Sequence, residues 1–168
     1  MKKPIDYDTA ETKSYGSFDN PPDGYYEWEI LGVNEQISKA GNSMLVFQLD
    51  ICEGEYTGLF QKFPKKYFQN LGAASTSFLK GVFKALEESN NGFKVEFDQF
   101  DYFDIKLFIG KKVGGKLRKK PDDEYPKIEH LCSIKTAKEK SSLQKMNHVA
   151  SNKETINRPK VTDADIPF

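Results

Sequence analysis

Ser77-Phe78-Leu79-Lys80-Gly81-Val82-Phe83-Lys84-Ala85-Leu86-Glu87-Glu88-Ser89 is the stretch whose reading decides the fold. Phe78, Leu79, Val82, Phe83 and Leu86 fall on one stripe at helical spacing. Ser75 or Thr76 offers a hydroxyl for the first turn, and Asn90-Asn91-Gly92 offers a stop. On both sides the apolar period shortens to two. The place of this helix among strands therefore sets the topology.

Upstream, Tyr26, Trp28 and Ile30 alternate with Tyr25, Glu27 and Glu29, the pattern of a half-buried strand. Lys39-Ala40-Gly41-Asn42 supplies a turn, and Met44 to Ile51 a second strand with Leu45, Phe47, Leu49 and Ile51 facing the core. After Glu53-Gly54-Glu55 a third strand is expected from Gly58 to Phe63, ended by Pro64. Downstream, strands are expected at Phe103 to Ile109 and Ile128 to Ile134, joined by the Lys- and Gly-rich segment 110–120. In the first of these, Phe103, Ile105, Leu107 and Ile109 would face inward, turning Lys106 and Phe108 outward. The turns are too short for the crossover helices of a parallel sheet. Three strands, a helix and two strands make an all-β fold with one helix, a five-stranded OB-type barrel whose helix lies between strands three and four.

The barrel is expected to occupy residues 24–139. Residues 1–23 read as a flexible arm closing on Asn20-Pro21-Pro22-Asp23-Gly24. From Lys140 apolar residues thin out, so 140–168 reads as a disordered tail. With 168 residues, 38% of them hydrophobic, the chain suffices for one core and not two. No apolar run approaches the roughly 18–20 residues of a membrane span, and Met1-Lys2-Lys3-Pro4 leads into polar sequence, which points to the cytoplasm. Cys52 and Cys132 sit in apolar surroundings and read as reduced, buried thiols.

A formal net charge of zero argues at first against a nucleic-acid partner, but the charge is unevenly placed. Lys106, Lys111, Lys112, Lys116, Arg118, Lys119 and Lys120 fall in one acid-free stretch. Within it, Gly110 to Lys116 has the spacing of a phosphate-cradling P-loop, yet Leu117 stands where a Ser or Thr would meet magnesium. A lysine-rich loop clamping a nucleic-acid strand is the better reading. A second cluster interleaves Lys62, Lys65 and Lys66 with Phe60, Phe63, Tyr67 and Phe68. Cations attract phosphates and flat rings stack on unpaired bases, a combination that suits single strands. The ten basic residues named are the candidate phosphate contacts, and Phe60, Phe63, Tyr67 and Phe108 the candidate stacking platforms. No catalytic constellation stands out. His130 and Cys132 lack further ligands at zinc spacing, and Asp122-Asp123-Glu124 reads as a solvated turn. Neither a metal nor a cofactor is expected.

The chain closes on Asp163-Ala164-Asp165-Ile166-Pro167-Phe168, where Phe168 can fill an apolar pocket while a basic partner residue pairs with the terminal carboxylate. This ending resembles the tail of bacterial and phage single-stranded DNA-binding proteins, which in that family recruits replication, recombination and repair proteins. Gly24-Tyr25-Tyr26, Asp50 to Gly58, and Phe78-Leu79-Lys80-Gly81 through Glu88-Ser89-Asn90 with Gly92-Phe93 are similar to a related group of small replication and recombination proteins of phages of Gram-positive hosts. The resemblance spans roughly residues 24–138. It implies an OB-fold protein that binds single-stranded DNA without catalysis, in the host cytoplasm if phage-encoded. Asp163, Asp165, Ile166, Pro167 and Phe168 would then be the partner-binding tip. Homo-oligomerisation is compatible with that family. The competing expectation is an OB-like interaction module with no DNA binding of its own.

Overall fold

The computed structural model describes residues 2, 3, 5–10 and 20–156, the last six by their backbone alone. Alternating burial drives the strands. β1, Gly24–Ile37, buries Trp28 and Ile30, and β2, Ser43–Ile51, buries Leu45, Phe47, Leu49 and Ile51 on the same inner face. They pair antiparallel from Trp28↔Ile51 to Ile37↔Ser43. The register slips between Ile30 and Gly32, so Leu31 is a bulge residue, and the slip keeps both Ile30 and Val33 on the core side. β1 also pairs antiparallel with β4, Lys112–Arg118, and is thereby shared by both halves of the sheet.

β3, Lys65–Asn70, pairs with β2, and β5, Lys127–Cys132, pairs with β4, both antiparallel. The order β3-β2-β1-β4-β5 curls into a nearly closed barrel whose two edge strands, β3 and β5, meet at a seam. α1, Thr76–Ser89, lies between β3 and β4 in the chain. This is the OB arrangement read from the sequence.

Trp28 is the centre of the core. Its ring stacks on Phe60 at 6.0 Å, and its indole N–H donates to the Gly115 carbonyl at 3.2 Å. Asn90, just past α1, accepts from the Lys112 amide at 2.9 Å and donates to the Lys112 and Leu86 carbonyls, fastening the helix to β4. Of the expected helical stripe, Val82 and Leu86 are buried and Phe78 is exposed. Ser75 makes no side-chain cap bond.

Four expectations need correction. The segment expected to form the third strand, Gly58 to Phe63, is a run of turns, with Gly54 and Gly58 at positive φ and the Asp50 carboxylate accepting from the Phe60 amide at 2.8 Å. The strand begins after Pro64. The segment expected to form the fourth strand, Phe103 to Ile109, instead contains a 3-10 turn, Ile105–Phe108. In a three-residue turn the two-residue alternation fails, so Phe108 is fully buried and Leu107 and Ile109 are exposed. Most of the expected basic loop, Lys112–Arg118, is β4 itself. Finally, 140–156 is not a disordered tail: α2 runs Ile134–Ile156, a stretch free of Gly and Pro in which Lys, a good helix former, is the commonest residue. Its first turn is tied down by the Ile134 amide donating to Ser89 Oγ at 3.0 Å and by buried Ala137.

α2 rests on Gly114. A Cβ there would stand 2.6 Å from the Ser133 carbonyl oxygen and 2.7 Å from Ala137 Cβ. Gly114→Ala should therefore lower unfolding free energy by about 1–3 kcal/mol through forced separation of α2 from the barrel. Gly81→Ala, in open space on α1, should raise it by about 0.5–1 kcal/mol. Chemical denaturation of the two variants checks both signs.

Candidate nucleic-acid interface

The seam between β3 and β5 is an open groove of about 410 Å³. Antiparallel pairing sets which β3 side chains face it. Tyr67 lies opposite Phe47 and turns inward against the core, its ring 6.4 Å from that of Phe47. Lys66 and Phe68, opposite Gln48 and Val46, turn outward. Phe68 is 55% exposed and has no ring partner among the described residues. Across the seam the β4–β5 connection brings up Tyr125, 49% exposed, and the first residue of β5 is Lys127. Glu124 beside Tyr125 pushes its phenol pKa above the ordinary value.

Lys65 holds the seam together. Its ammonium donates to the Pro126 carbonyl at 2.9 Å and lies 5.0 Å from the Phe60 ring centroid. Burial lowers its pKa, as expected for a cation drawn partly out of water. Lys65 thus acts as a clasp rather than a free phosphate contact. Lys66 carries no ion pair with a described residue, whereas Lys127 reaches Asp123 at 2.7 Å.

The β4 cations lie elsewhere. Lys116 shares its face with Tyr25 and His130. A register slip in β5 makes Glu129 an extra residue, and its carboxylate meets Lys116 at 3.2 Å and Arg118 at 3.3 Å. Lys116, by its hydrogen bond, and then Arg118 hold that carboxyl below its ordinary value, so it is ionised at neutral pH. Lys112 is 3.9 Å from Glu53, and the Lys111 ammonium sits over the Phe93 ring. Lys119 and Lys120 lead into the β4–β5 connection with their side chains exposed; the Lys119 amide donates to Asp23 at 2.9 Å.

Of the candidate residues, Lys65, Lys66 and Tyr67 line the groove, Lys62 and Phe63 lie on the turn before β3, and Lys119 and Lys120 lie on the β4–β5 connection. Lys106, on the 3-10 turn, and the paired Lys112, Lys116 and Arg118 of β4 do not line the groove. Three candidate platforms are corrected: Phe60 and Phe108 are core rings, and Tyr67 is half-buried with its phenol pKa raised by burial. Phe68, named in the second cluster but not as a platform, and Tyr125 and Lys127, not named from the sequence, are the further residues that line the groove. Phe68 has the opposite strand parity to Tyr67, a signal masked by placing the strand too early. Tyr125 shows in the sequence only as a lone aromatic before Pro126.

Elsewhere, His130 packs edge-on to Tyr25 at 5.8 Å, and burial pushes the half-buried Cys52 and Cys132 thiols up to about 11. Asp122 to Glu124 form a turn in which Lys127 holds the Asp123 carboxyl below its ordinary value. Among the described residues no helix is long and apolar enough to cross a membrane. The terminal residues 163–168 lie outside the described residues, as does much of the expected arm.

No curated protein matches the chain. A family model described as "Protein of unknown function (DUF669)" matches residues 5–141, well over half of the length, and the chain belongs to that family.

Proposed function

We propose that the barrel binds single-stranded DNA with little sequence preference, in the cytoplasm, and that its C-terminal tip recruits replication or recombination proteins. The observation that carries this reading is the β3–β5 groove, where exposed Phe68 and Tyr125 stand beside Lys66 and Lys127. Unpartnered rings offer stacking surfaces to bases of any identity, and the cations draw the phosphates alongside. A duplex, whose bases are already stacked, gains nothing from such rings. Lys62, Phe63, Lys119 and Lys120 extend the surface at the end of β3 that follows Pro64 and along the β4–β5 connection.

The reading assigns no role to catalysis. A hub without DNA binding is its rival, favoured by the acids that pair with the β4 cations. Salt-dependent titration decides between them: fluorescence anisotropy of labelled oligo-dT should show binding that weakens steeply with salt and resists duplex competitor. No binding at low salt would discard the proposal in favour of the hub.

Phe68→Ala and Tyr125→Ala should each cost about 1–3 kcal/mol, roughly 5-fold to 150-fold in Kd, in that titration. Glu129→Gln should act in the opposite direction. It removes an acid from the groove wall and releases Lys116 and Arg118, so affinity should rise and the salt slope steepen by about 0.7 per phosphate newly engaged. For the tip, deletion of Asp165 to Phe168 should leave oligo-dT affinity equal or slightly higher while abolishing recruitment, read by pull-down of replication proteins. Loss of DNA binding on truncation would place the tip within the DNA site and contradict the division.

A further inference from the structure

Residues 96–104 form an acidic tip that carries exposed aromatic rings. Glu96, Asp98, Asp101 and Asp104 fall there with no Lys or Arg between Lys94 and Lys106, and none of the four has an ion pair with a described residue. Phe100 is 77% exposed and Tyr102 64%. The turn carrying them is fixed in shape. Asp98 Oδ1 accepts from the Phe100 amide at 2.8 Å and the Tyr102 amide at 3.0 Å, and the Asp98 amide donates to the Tyr102 carbonyl at 2.9 Å. Asp101 takes a left-handed φ of 56° to close it. Behind it, Phe97 packs edge-on to Phe103, which lies 5.0 Å from core Phe108.

Two large rings held out in water on a rigid turn mark a docking surface whose ordering cost is met before binding. Phosphates are repelled by the surrounding acids, so the occupant is protein and not DNA. Its surface needs apolar faces rimmed by cations. The described residues offer such a place in the β3–β5 groove, with Phe68 and Tyr125 beside Lys66 and Lys127 and one acid, Glu129, that is itself paired with Lys116 and Arg118. The larger groove of about 990 Å³ between α2 and the 53–56 turn fits less well: Lys138 and Lys145 line it, but so do Asp23, Glu27, Glu53 and Glu55, and Lys138 is already paired with Glu27 at 3.2 Å.

We propose that the 96–104 tip of one copy docks in the β3–β5 groove of a second copy. The contact is head-to-tail, joining different surfaces on the two partners, so association grows with concentration instead of stopping at a two-fold dimer. Under the DNA reading, on which only this last step rests, the tip and DNA compete for one groove, and single-stranded DNA disperses the free assembly.

Sedimentation velocity over a concentration series of the full chain tests it. The wild type should shift to larger species as concentration rises, and Phe100→Ala/Tyr102→Ala, both changes at exposed sites, should sediment as a monomer, its association weakened at least about tenfold. Lys66→Glu/Phe68→Ala should do the same from the groove side. Mixing the two variants is decisive: one retains a groove and the other a tip, so they should form a one-to-one pair that grows no further. A wild type that stays monomeric throughout, a variant that associates as the wild type does, or a mixture that fails to pair would each overturn the inference. Oligo-dT separates it from the DNA reading. Tight oligo-dT binding by a chain that never self-associates removes the inference alone; tip-to-groove association by a chain that takes no oligo-dT removes the DNA reading alone.

Discussion

The structure turns on the close approach of three elements at Gly114-Gly115. Inside the barrel, Trp28 is fully buried and its indole N–H needs an acceptor, which the Gly115 carbonyl provides at 3.2 Å. A Cβ on Gly115 would come within 3.1 Å of both the indole nitrogen and Leu131 Cδ2. Outside, α2 lies so near that Gly114 has no room for a side chain either. Two successive strand residues thus face opposite sides, each stripped to hydrogen so that a ring can approach from within and a helix from without. The β1–β4 pairing, the indole hydrogen bond and the α2 docking are all conditions on the same pair of residues.

That constraint also explains what the sequence disclosed and what it hid. β1, β2, β5 and α1 were legible because long apolar side chains at period two or 3.6 have few other places to go. Gly114-Gly115 carry no such signal, and with lysines on either side β4 looks like a loop. The requirement for glycine there arises from Trp28 and Ala137, which lie far away in sequence and close in space. Phe103 to Ile109 failed in the opposite way. Its apolar density imitates a strand, but a 3-10 turn puts Phe108 at the bottom of the core and leaves Leu107 in water. α2 was hidden because its exposed length has no apolar face; helix propensity and an anchored first turn carry it.

The candidate site follows from the same shifts. Placing β3 after Pro64 reverses which aromatics are available, so that Phe68 replaces Tyr67 and Phe60 at the surface. Making 112–118 a strand disperses the basic stretch that seemed to be one loop, and Glu129, displayed by a bulge, absorbs two of its charges. What is left is a smaller cationic surface built around two exposed rings at the barrel's open edge.

The central claim is that single-stranded DNA lies in the β3–β5 groove. Amide chemical-shift mapping by NMR, with oligo-dT titrated into the labelled full chain, addresses it most directly. The account predicts the largest shifts at 65–69 and 124–128, with the β4 residues 114–118 comparatively still. Shifts concentrated on β4 and α2, with Phe68 and Tyr125 unmoved, would contradict it.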